Sequence, residues 1–258
     1  MDLQLKNKTA IVCGSSAGIG YGCAQALANE GVRVWIVARD AQRLAKAADR
    51  IRASSGGQVE TIPADLATPD ATQRIADAMP SPDILVTNPG VTPAGALTTA
   101  DVWGAGADAI VGRTLALAGR MLPSMRARKF GRIINITSAG SFEAGPAIGL
   151  SGALRATLTH ASATLAREVG PDGVTINSIA PGPVYSDGLD DYFARRAGEL
   201  GLTPDEVRQR RLAQIPANRF ATIEEIGAIC ALLASPISAS VTGRTVLIDG
   251  GANPFPFL

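Results

Sequence analysis

Two hydroxyls and one guanidinium in the middle of the chain have types and a spacing that suit a site for an oxygen-bearing ligand. Ser138 is followed thirteen positions later by Ser151, and Arg155 comes four positions after that. Residues four apart on a helix share a face, so we expect Ser151 and Arg155 to lie side by side. A serine hydroxyl can bind a substrate oxygen but is a weak acid, whereas an arginine stays charged and can hold a phosphate or a ribose through two bonds.

A glycine-rich segment near the N-terminus has the form of a phosphate-binding turn. The apolar run Thr9 to Cys13 predicts a buried strand, and Gly14-Ser15-Ser16-Ala17-Gly18-Ile19-Gly20 follows it directly. Its three glycines permit a tight turn, a close approach of backbone amides to a ligand and close helix packing. A helix that starts there points its positive end at a pyrophosphate. We therefore expect contacts to a dinucleotide from Gly14, Ser16, Gly18, Ile19 and Gly20.

The residue after the second predicted strand indicates which dinucleotide binds. Arg39 follows the apolar run Val34 to Ala38, at the place expected for the adenosine ribose. A carboxylate at this place accepts hydrogen bonds from a free 2′-hydroxyl, whereas a guanidinium pairs with a 2′-phosphate. The arginine favours NADP(H) over NAD(H) as the cofactor, although Asp40 directly after it counts in the other direction.

Short apolar runs alternate with helix-patterned stretches along the whole chain, which is typical of βαβ units around a mostly parallel sheet. We predict an α/β fold with a Rossmann-like doubly wound parallel sheet in three α/β/α layers, a single domain over residues 1–258. Its ligand crevice should lie at the carboxyl ends of the strands. The predicted strands lie near 9–13, 32–38, 58–62, 83–87, 131–137, 173–179 and 244–248, and the main helices near 18–30, 40–54, 100–128, 150–169 and 222–234.

One polar and charged stretch, residues 186–220, interrupts this alternation. It is predicted to be helical in pieces, and no strand follows it directly. Long insertions at this edge of a sheet often cover a substrate, so we predict a substrate lid. A surface excursion or a subunit contact is the alternative.

Composition and the chain's first residues exclude several classes of function. The 258 residues are 46% hydrophobic and carry a formal net charge of +1, so no charge excess attracts nucleic acid or an acidic membrane. Three cysteines and the single histidine, His160, show no metal-site spacing, and we predict no metal. Residues 1–8 lack the apolar core of a secretory signal, and no run is long enough to span a membrane. We expect a cytoplasmic protein.

Several further segments, taken in order with the glycine-rich turn, carry a resemblance to a known family. They are Asp65-Leu66, Thr87-Asn88-Pro89-Gly90, Gly131 to Ser138, Val174 to Gly182, Ile215 to Phe220 and Asp249-Gly250-Gly251. With them, the chain resembles the classical short-chain dehydrogenases/reductases over nearly all of its length. The segment Leu150 to Ala156 is similar to that of an atypical subgroup, related to 3-oxoacyl-(acyl-carrier-protein) reductases, in which serine and arginine replace the catalytic tyrosine and lysine.

The resemblance implies further cofactor contacts on both halves of a dinucleotide. Asp65 and Leu66 would flank the adenine, and Asn88 and Gly90 would line the ribose side. A segment after the sixth strand would hold the nicotinamide amide through backbone groups and one hydroxyl. Its residues are Pro181, Gly182, Val184 and Ser186.

The catalytic pattern of the family is mostly absent from this sequence. Family members use a serine, a tyrosine thirteen residues later and a lysine four residues beyond, commonly with an asparagine on the preceding helix. Ser138 is retained, but Ser151, Arg155 and Ala109 stand at the other three positions. The family's phenol, whose free pKa is about 10 and is lowered by a neighbouring ammonium, exchanges a proton with the substrate oxygen while hydride moves at the nicotinamide. A serine hydroxyl is a far weaker acid.

Three functions therefore stay open. The first is an NADP-dependent oxidoreductase that interconverts a small-molecule ketone, including the 3-oxoacyl type, and an alcohol. Ser138 would bind the oxygen, and the proton would come from water, Ser151 or a lid phenol such as Tyr185. The second is a non-redox enzyme similar to the halohydrin dehalogenases, which Arg155 favours. The third is a catalytically silent subunit that binds nucleotide.

Self-association is the other expected interaction. The predicted helices near 100–128 and 150–169 are rich in small residues, which suits close packing between subunits, and the family is usually dimeric or tetrameric. We expect a homodimer or a homotetramer.

Overall fold

The computed structural model, which describes residues 1–90, 98, 100–143 and 149–254 and only the backbone of Asp101 and Asp187, contains one seven-stranded sheet in that part of the chain. Every neighbouring pair of strands is parallel, in the order β3-β2-β1-β4-β5-β6-β7. The predicted doubly wound fold is confirmed. The strands are β1 Thr9–Cys13, β2 Arg33–Ala38, β3 Val59–Pro63, β4 Ile84–Thr87, β5 Gly131–Ile136, β6 Val174–Pro181 and β7 Thr245–Ile248.

Helices cover both faces of the sheet. In the described residues they are α1 Gly18–Asn29, α2 Ala41–Ser55, α3 Ala71–Ala78, α4 Ala100–Ala107, α5 Arg113–Ala127, α6 Gly149–Val169, α7 Asp187–Leu200, α8 Pro204–Leu212 and α9 Ile223–Ala234. None of them is long and apolar enough to cross a membrane.

The predicted helix near 100–128 contains a π-helical turn, Asp108–Gly112, which separates α4 from α5. The Arg113 Nε donates to the Asp108 Oδ2 at 2.9 Å. These two residues are five apart, which is the repeat of a π-helical turn rather than of an α-helical one. The ion pair therefore stabilises the wider turn.

Two apolar clusters bury the two faces of the sheet. Successive strand residues alternate between them, since side chains along a strand point to opposite faces. Val12 joins the cluster that contains Leu27 of α1. Ile11 joins the cluster that contains Met121 of α5. Burial on both faces explains why the central strands read as continuous apolar runs.

A buried polar chain joins β4, β5 and α6 beneath the carboxyl edge of the sheet. The Thr87 hydroxyl donates to the Asn135 Oδ1 at 2.5 Å, and the Asn135 Nδ2 donates to the Ser162 Oγ at 2.8 Å. Ser162 in turn donates to the Leu158 carbonyl at 2.6 Å. A fully satisfied buried network fixes one arrangement of its elements, so these bonds set the position of α6 against the sheet.

The segment predicted as a lid folds into α7 and α8, which pack on each other through a small cluster of Phe193, Ala197 and Val207. The Thr203 side chain caps α8 in a reciprocal capping box with Glu206. The segment thus has an apolar centre of its own, and its function as a lid stays a prediction.

An ion pair fixes the end of this segment to α9. The Arg219 guanidinium makes two bonds to Glu225, 2.7 and 2.9 Å long, and Glu225 also forms a capping box with Thr222. The bond from Arg219 and the Thr222 amide lower the pKa of the Glu225 carboxyl to about 2. The charged carboxylate therefore stabilises the start of α9.

We predict that Glu225→Gln lowers the free energy of unfolding at pH 7 by about 1 kcal/mol, because solvent screens this half-exposed pair. Since the folded pKa lies below the unfolded value of 4.5, the contribution is complete above about pH 4.5 and is lost as the pH falls toward 2. Urea unfolding of both proteins from pH 7 to pH 3 measures this. Glu224→Gln, at the exposed neighbouring position, is the control. A difference that stays constant across this range would contradict the assignment.

Candidate functional site

The carboxyl ends of β1 and β4 lie side by side where the order of the strands reverses, which is the position where such sheets bind ligands. Gly14 follows β1, and Asn88 follows β4. The Asn88 Nδ2 donates to the Gly14 carbonyl at 3.4 Å. A Cβ at Gly14 would lie 2.9 Å from that amide nitrogen, and the φ of Gly14 is +63°. Both the contact and the conformation require glycine here.

The turn from β1 into α1 is held by hydrogen bonds and close packing on the side that faces the sheet. On the other side, at Gly18, it has free space. The Ser15 hydroxyl donates to the Val12 carbonyl at 2.7 Å and accepts from the Val37 amide at 3.0 Å, which fixes the turn to β1 and β2. A Cβ at Gly20 would lie 2.2 Å from the Gly14 carbonyl oxygen, so the helix packs directly on the turn. A Cβ at Gly18 would meet nothing within 4 Å. The open side is the place for a ligand.

The first turn of α1 is uncapped by side chains. Ala17 stands at the N-cap without a side-chain acceptor, and the first helical turn contains no acidic residue. The amides that begin a helix have no partner within the helix, and the helix dipole gives this end a partial positive charge. The turn that holds Gly18, Ile19 and Gly20 therefore suits a pyrophosphate.

A cavity of about 350 Å³ lies beside this turn and gathers seven of the predicted cofactor residues. Its volume is in the range of small-molecule sites. The seven residues are Gly14, Ser16, Arg39, Asp65, Leu66, Asn88 and Gly90. Val37, Ala38, Ala64, Ala67, Ala109 and Ile110 complete the lining.

Arg39 is exposed at the rim of this cavity, and no carboxylate of the described residues lies within 4 Å of it. The neighbouring acid, Asp40, is the N-cap of α2. Its Oδ1 accepts from the amides of Gln42 and Arg43, both at 3.0 Å. Asp40 therefore caps α2 and does not pair with Arg39, so the Arg39 guanidinium is available to an anionic ligand.

The segment predicted to hold the nicotinamide follows β6 at the same edge of the sheet, outside the lining of the 350 Å³ cavity. Beyond Pro181, the Gly182 amide donates to the Ile248 carbonyl at 2.8 Å. Val184 is buried in the main core, so it can offer a ligand only backbone groups. The Ser186 hydroxyl donates to the Val184 carbonyl at 3.3 Å.

Ser138 lies two residues after the end of β5 and is the N-cap of a short 3₁₀ helix, Ala139–Phe142. Its Oγ accepts from the Gly140 amide at 3.1 Å. Because that bond uses a lone pair of the oxygen, the hydroxyl proton can still be donated to a ligand.

Arg155 on α6 holds together the two loops that follow β4 and β5. Its Nη1 donates to the carbonyls of Ile136 and Thr137, and its Nη2 donates to those of Pro89 and Gly90, all at 3.3 Å. Burial lowers the pKa of its guanidinium. No carboxylate of the described residues lies within 4 Å of it. The arginine is a positive charge enclosed by carbonyl dipoles at the carboxyl edge of the sheet.

Ser151 lies one helical turn before Arg155 and is half-buried. Among the described residues its hydroxyl makes no hydrogen bond to Arg155, so the expected pairing is limited to a shared helix face. The Ser151 hydroxyl is therefore free to bind a ligand or water.

The three tyrosines of the chain lie in other environments. Tyr21 is buried under the guanidinium of Arg50, 4.5 Å from its ring centre. The Tyr192 ring packs edge-on against Phe193 in the lid, with the ring centres 5.5 Å apart. Tyr185 is 66% exposed. Neither Tyr185 nor Tyr192 therefore directs its phenol into the crevice as a proton donor.

Comparison with known proteins shows which family has this arrangement. The family model described as enoyl-(acyl carrier protein) reductase matches residues 14–253. The D-beta-hydroxybutyrate dehydrogenase of Rhizobium meliloti (strain 1021) is 31% identical over 256 residues, 95% of this chain and 98% of that protein. The rhamnolipids biosynthesis 3-oxoacyl-(acyl-carrier-protein) reductase of Pseudomonas aeruginosa is 33% identical over 259 residues, 96% of this chain and 97% of that protein. The chain belongs to the short-chain dehydrogenase/reductase family.

A solved structure of this oxidoreductase family agrees with the assignment over the full length. L-sorbose reductase from Gluconobacter frateurii, complexed with NADPH and L-sorbose, superposes with a TM-score of 0.90 and 28% sequence identity, covering 100% of both chains. The short-chain dehydrogenase/reductase fold of the present protein thus extends from the glycine-rich turn through the lid segment.

Sequence reasoning missed two features of the site. Ser15 anchors the turn, but nothing distinguishes it in the sequence from Ser16 beside it. Ile110 lies within the π-helix and lines the cavity. The five-residue spacing of Asp108 and Arg113 is the signal that could have revealed this turn.

We predict that Arg155→Met lowers the free energy of unfolding by about 1–3 kcal/mol, because four carbonyls lose a charged donor and two loops lose their common anchor. Urea unfolding at pH 7 measures the effect. Arg167→Met, at an exposed position on the same helix, is the control and should change stability by less than about 0.5 kcal/mol. Equal stability of the two variants would contradict the anchoring role.

Proposed function

We propose that this short-chain dehydrogenase/reductase is an NADP-dependent oxidoreductase that interconverts a ketone of the 3-oxoacyl type and the corresponding alcohol. The observation that carries the proposal is the exposed Arg39, without an acidic partner among the described residues, at the rim of a cavity that adjoins the open turn at Gly18. A guanidinium there complements a 2′-phosphate, and the turn complements a pyrophosphate.

The relatives support this substrate class. One is named for a 3-oxoacyl-(acyl-carrier-protein) substrate and another for D-beta-hydroxybutyrate, a 3-hydroxy acid. Both names describe oxidation or reduction at the third carbon of an acyl chain. NADPH is bound in the L-sorbose reductase structure, which has the same fold over its full length.

The proposed chemistry divides between the bound cofactor and three side chains. When bound, the cofactor would supply hydride to the crevice. Ser138 donates a hydrogen bond to the carbonyl oxygen and places it in the crevice. Ser151 passes a proton from water to that oxygen as its negative charge develops, and the buried charge of Arg155 favours the developing anion. One hydride and one proton together give the neutral alcohol.

A test of this proposal needs both binding and turnover. NADPH and NADH are titrated against the protein by nucleotide fluorescence, and the absorbance of NADPH is then followed with acetoacetyl-coenzyme A, acetoacetate or L-sorbose. We expect tighter binding of NADPH than of NADH, and NADPH oxidation with acetoacetyl-coenzyme A. Binding of neither nucleotide would contradict the proposal.

A catalytically silent nucleotide-binding subunit is the second candidate. The observation in its favour is that none of the tyrosines offers a phenol to the crevice: Tyr21 is buried, Tyr185 is exposed and Tyr192 packs within the lid. Tight NADPH binding without oxidation by any ketone would favour it over the reductase. The dehalogenase alternative gains no support, because Arg155 already donates four bonds to main-chain carbonyls.

We predict that Ser151→Ala lowers kcat for the ketone about a hundredfold, because the relay for the proton is lost. The Kd for NADPH should stay the same. Steady-state kinetics and fluorescence titration measure the two quantities. Thr157→Ala, on the same helix but at an exposed position, is the control. A kcat for Ser151→Ala equal to that of the control would exclude Ser151 from proton transfer.

We also propose that the protein acts as a homodimer or homotetramer. All four residues of β7, an edge strand of the sheet, are only half-buried within one chain. Such an edge is normally covered in a native protein, and a second copy of the chain would cover it.

A further inference from the structure

A second cavity of about 320 Å³ adjoins the first at the adenosine end of the crevice. Arg39, Ala64 and Asp65 line both cavities, so the two lie next to each other. The outer wall of the second cavity contains Asp70 and Arg74, at the start of α3.

Arg74 and Arg39 line the same cavity because β2 pairs with β3. Ala38, directly before Arg39, pairs in register with Pro63. The Arg74 Nη2 donates to the Pro63 carbonyl at 2.9 Å, which brings the guanidinium over the end of β3. Its side chain is 58% exposed, so its remaining N–H groups can reach a ligand.

Few other cationic side chains lie at this end of the crevice to bind a phosphate. The turn from Gly14 to Gly20 contains no cationic side chain. In the described residues, Arg39 and Arg74 are the cations that line the second cavity. Two guanidiniums around one phosphate give more hydrogen bonds and charge than Arg39 alone.

The carboxylates of Asp65 and Asp70 line the same cavity and repel an anion. The Asp65 Oδ1 accepts from the Ala67 amide at 2.9 Å, so that carboxylate is directed to its own loop. The Asp70 Oδ2 lies 3.8 Å from the Arg74 Nη1. The Thr68 side chain and the Asp70 backbone amide, and after them the charges of Arg74 and Arg113, lower the pKa of the Asp70 carboxyl, so that this carboxyl is charged at neutral pH. Asp70 therefore competes with a phosphate for Arg74.

We propose that Arg74 is a second ligand of the 2′-phosphate of NADP(H), facing Arg39 across the cavity, and that Asp70 limits the strength of this contact. The inference rests on the proposed use of NADP(H). It assigns the preference for NADPH over NADH to two arginines on different elements, one after β2 and one on α3. Asp70 would weaken this preference, because it competes with the phosphate for Arg74.

The test compares the Kd values of NADPH and NADH, which differ only in the 2′-phosphate. For Arg74→Ala we expect about tenfold weaker binding of NADPH, the lower end of the range for a charged hydrogen bond because Arg74 is exposed. The Kd of NADH should change by less than about twofold. Arg167→Ala, which removes the same charge from an exposed position on α6, is the control and should leave both values unchanged.

The Asp70→Asn variant provides a second test, in which the affinity for NADPH should rise instead of fall. Removing this charge while keeping the shape of the side chain releases Arg74 to the phosphate. We expect the Kd of NADPH to fall by about threefold, with no change for NADH, since a surface pair of this kind contributes modestly. Misfolding cannot produce tighter binding, so this result does not depend on the stability of the variant.

The possible outcomes separate the inference from the proposed function. Loss of NADPH affinity in Arg74→Ala with unchanged NADH affinity, and a gain in Asp70→Asn, support the inference. Unchanged affinities in Arg74→Ala, or equal losses for both nucleotides, overturn it while the proposed function stands. Failure of the unmodified protein to bind either nucleotide overturns the proposed function itself.

Discussion

The close contact between the loops after β1 and β4 is the constraint on which the rest of the site depends. Gly14 and Asn88 meet there, and Gly20 packs on the Gly14 carbonyl so closely that a methyl group would collide with it. This packing brings the start of α1 to the edge of the sheet with its amides facing outward. Ser15 then fixes the turn to β2, whose last residue precedes Arg39. In the proposed function, anion binding is therefore a consequence of backbone packing, and Arg39 would add selectivity.

Much of this could be predicted from the sequence, because the decisive signals are local. Strand β1, the glycine-rich turn and α1 are adjacent in the chain, and the alternation of apolar runs is enough to indicate a doubly wound sheet. Features that depend on distant contacts could not be predicted. Arg74 and Arg39 line one cavity because β2 and β3 pair in a particular register, and the four carbonyls around Arg155 come from segments that are far apart in the chain. The π-helix was missed because propensity does not distinguish it from an ordinary helix.

The site contains a largely buried positive charge, that of Arg155, at the carboxyl edge of the sheet. Arg155 donates to four backbone carbonyls, so its position strengthens the architecture of the crevice as well as its electrostatics. Ser151 has no hydrogen bond to this arginine among the described residues and is available to water or substrate. If Ser151 relays the proton as proposed, nucleotide binding does not depend on that step, because other residues line the cavity beside the glycine-rich turn.

A crystal structure of the protein grown with NADPH is the most direct measurement of how the nucleotide is held. The predicted result is density for the pyrophosphate within hydrogen-bond distance of the amides of Gly18 to Gly20, with the 2′-phosphate beside Arg39. Density for the nucleotide elsewhere, or a 2′-phosphate that points away from Arg39 into solvent, would contradict the assignment of this crevice to NADP(H).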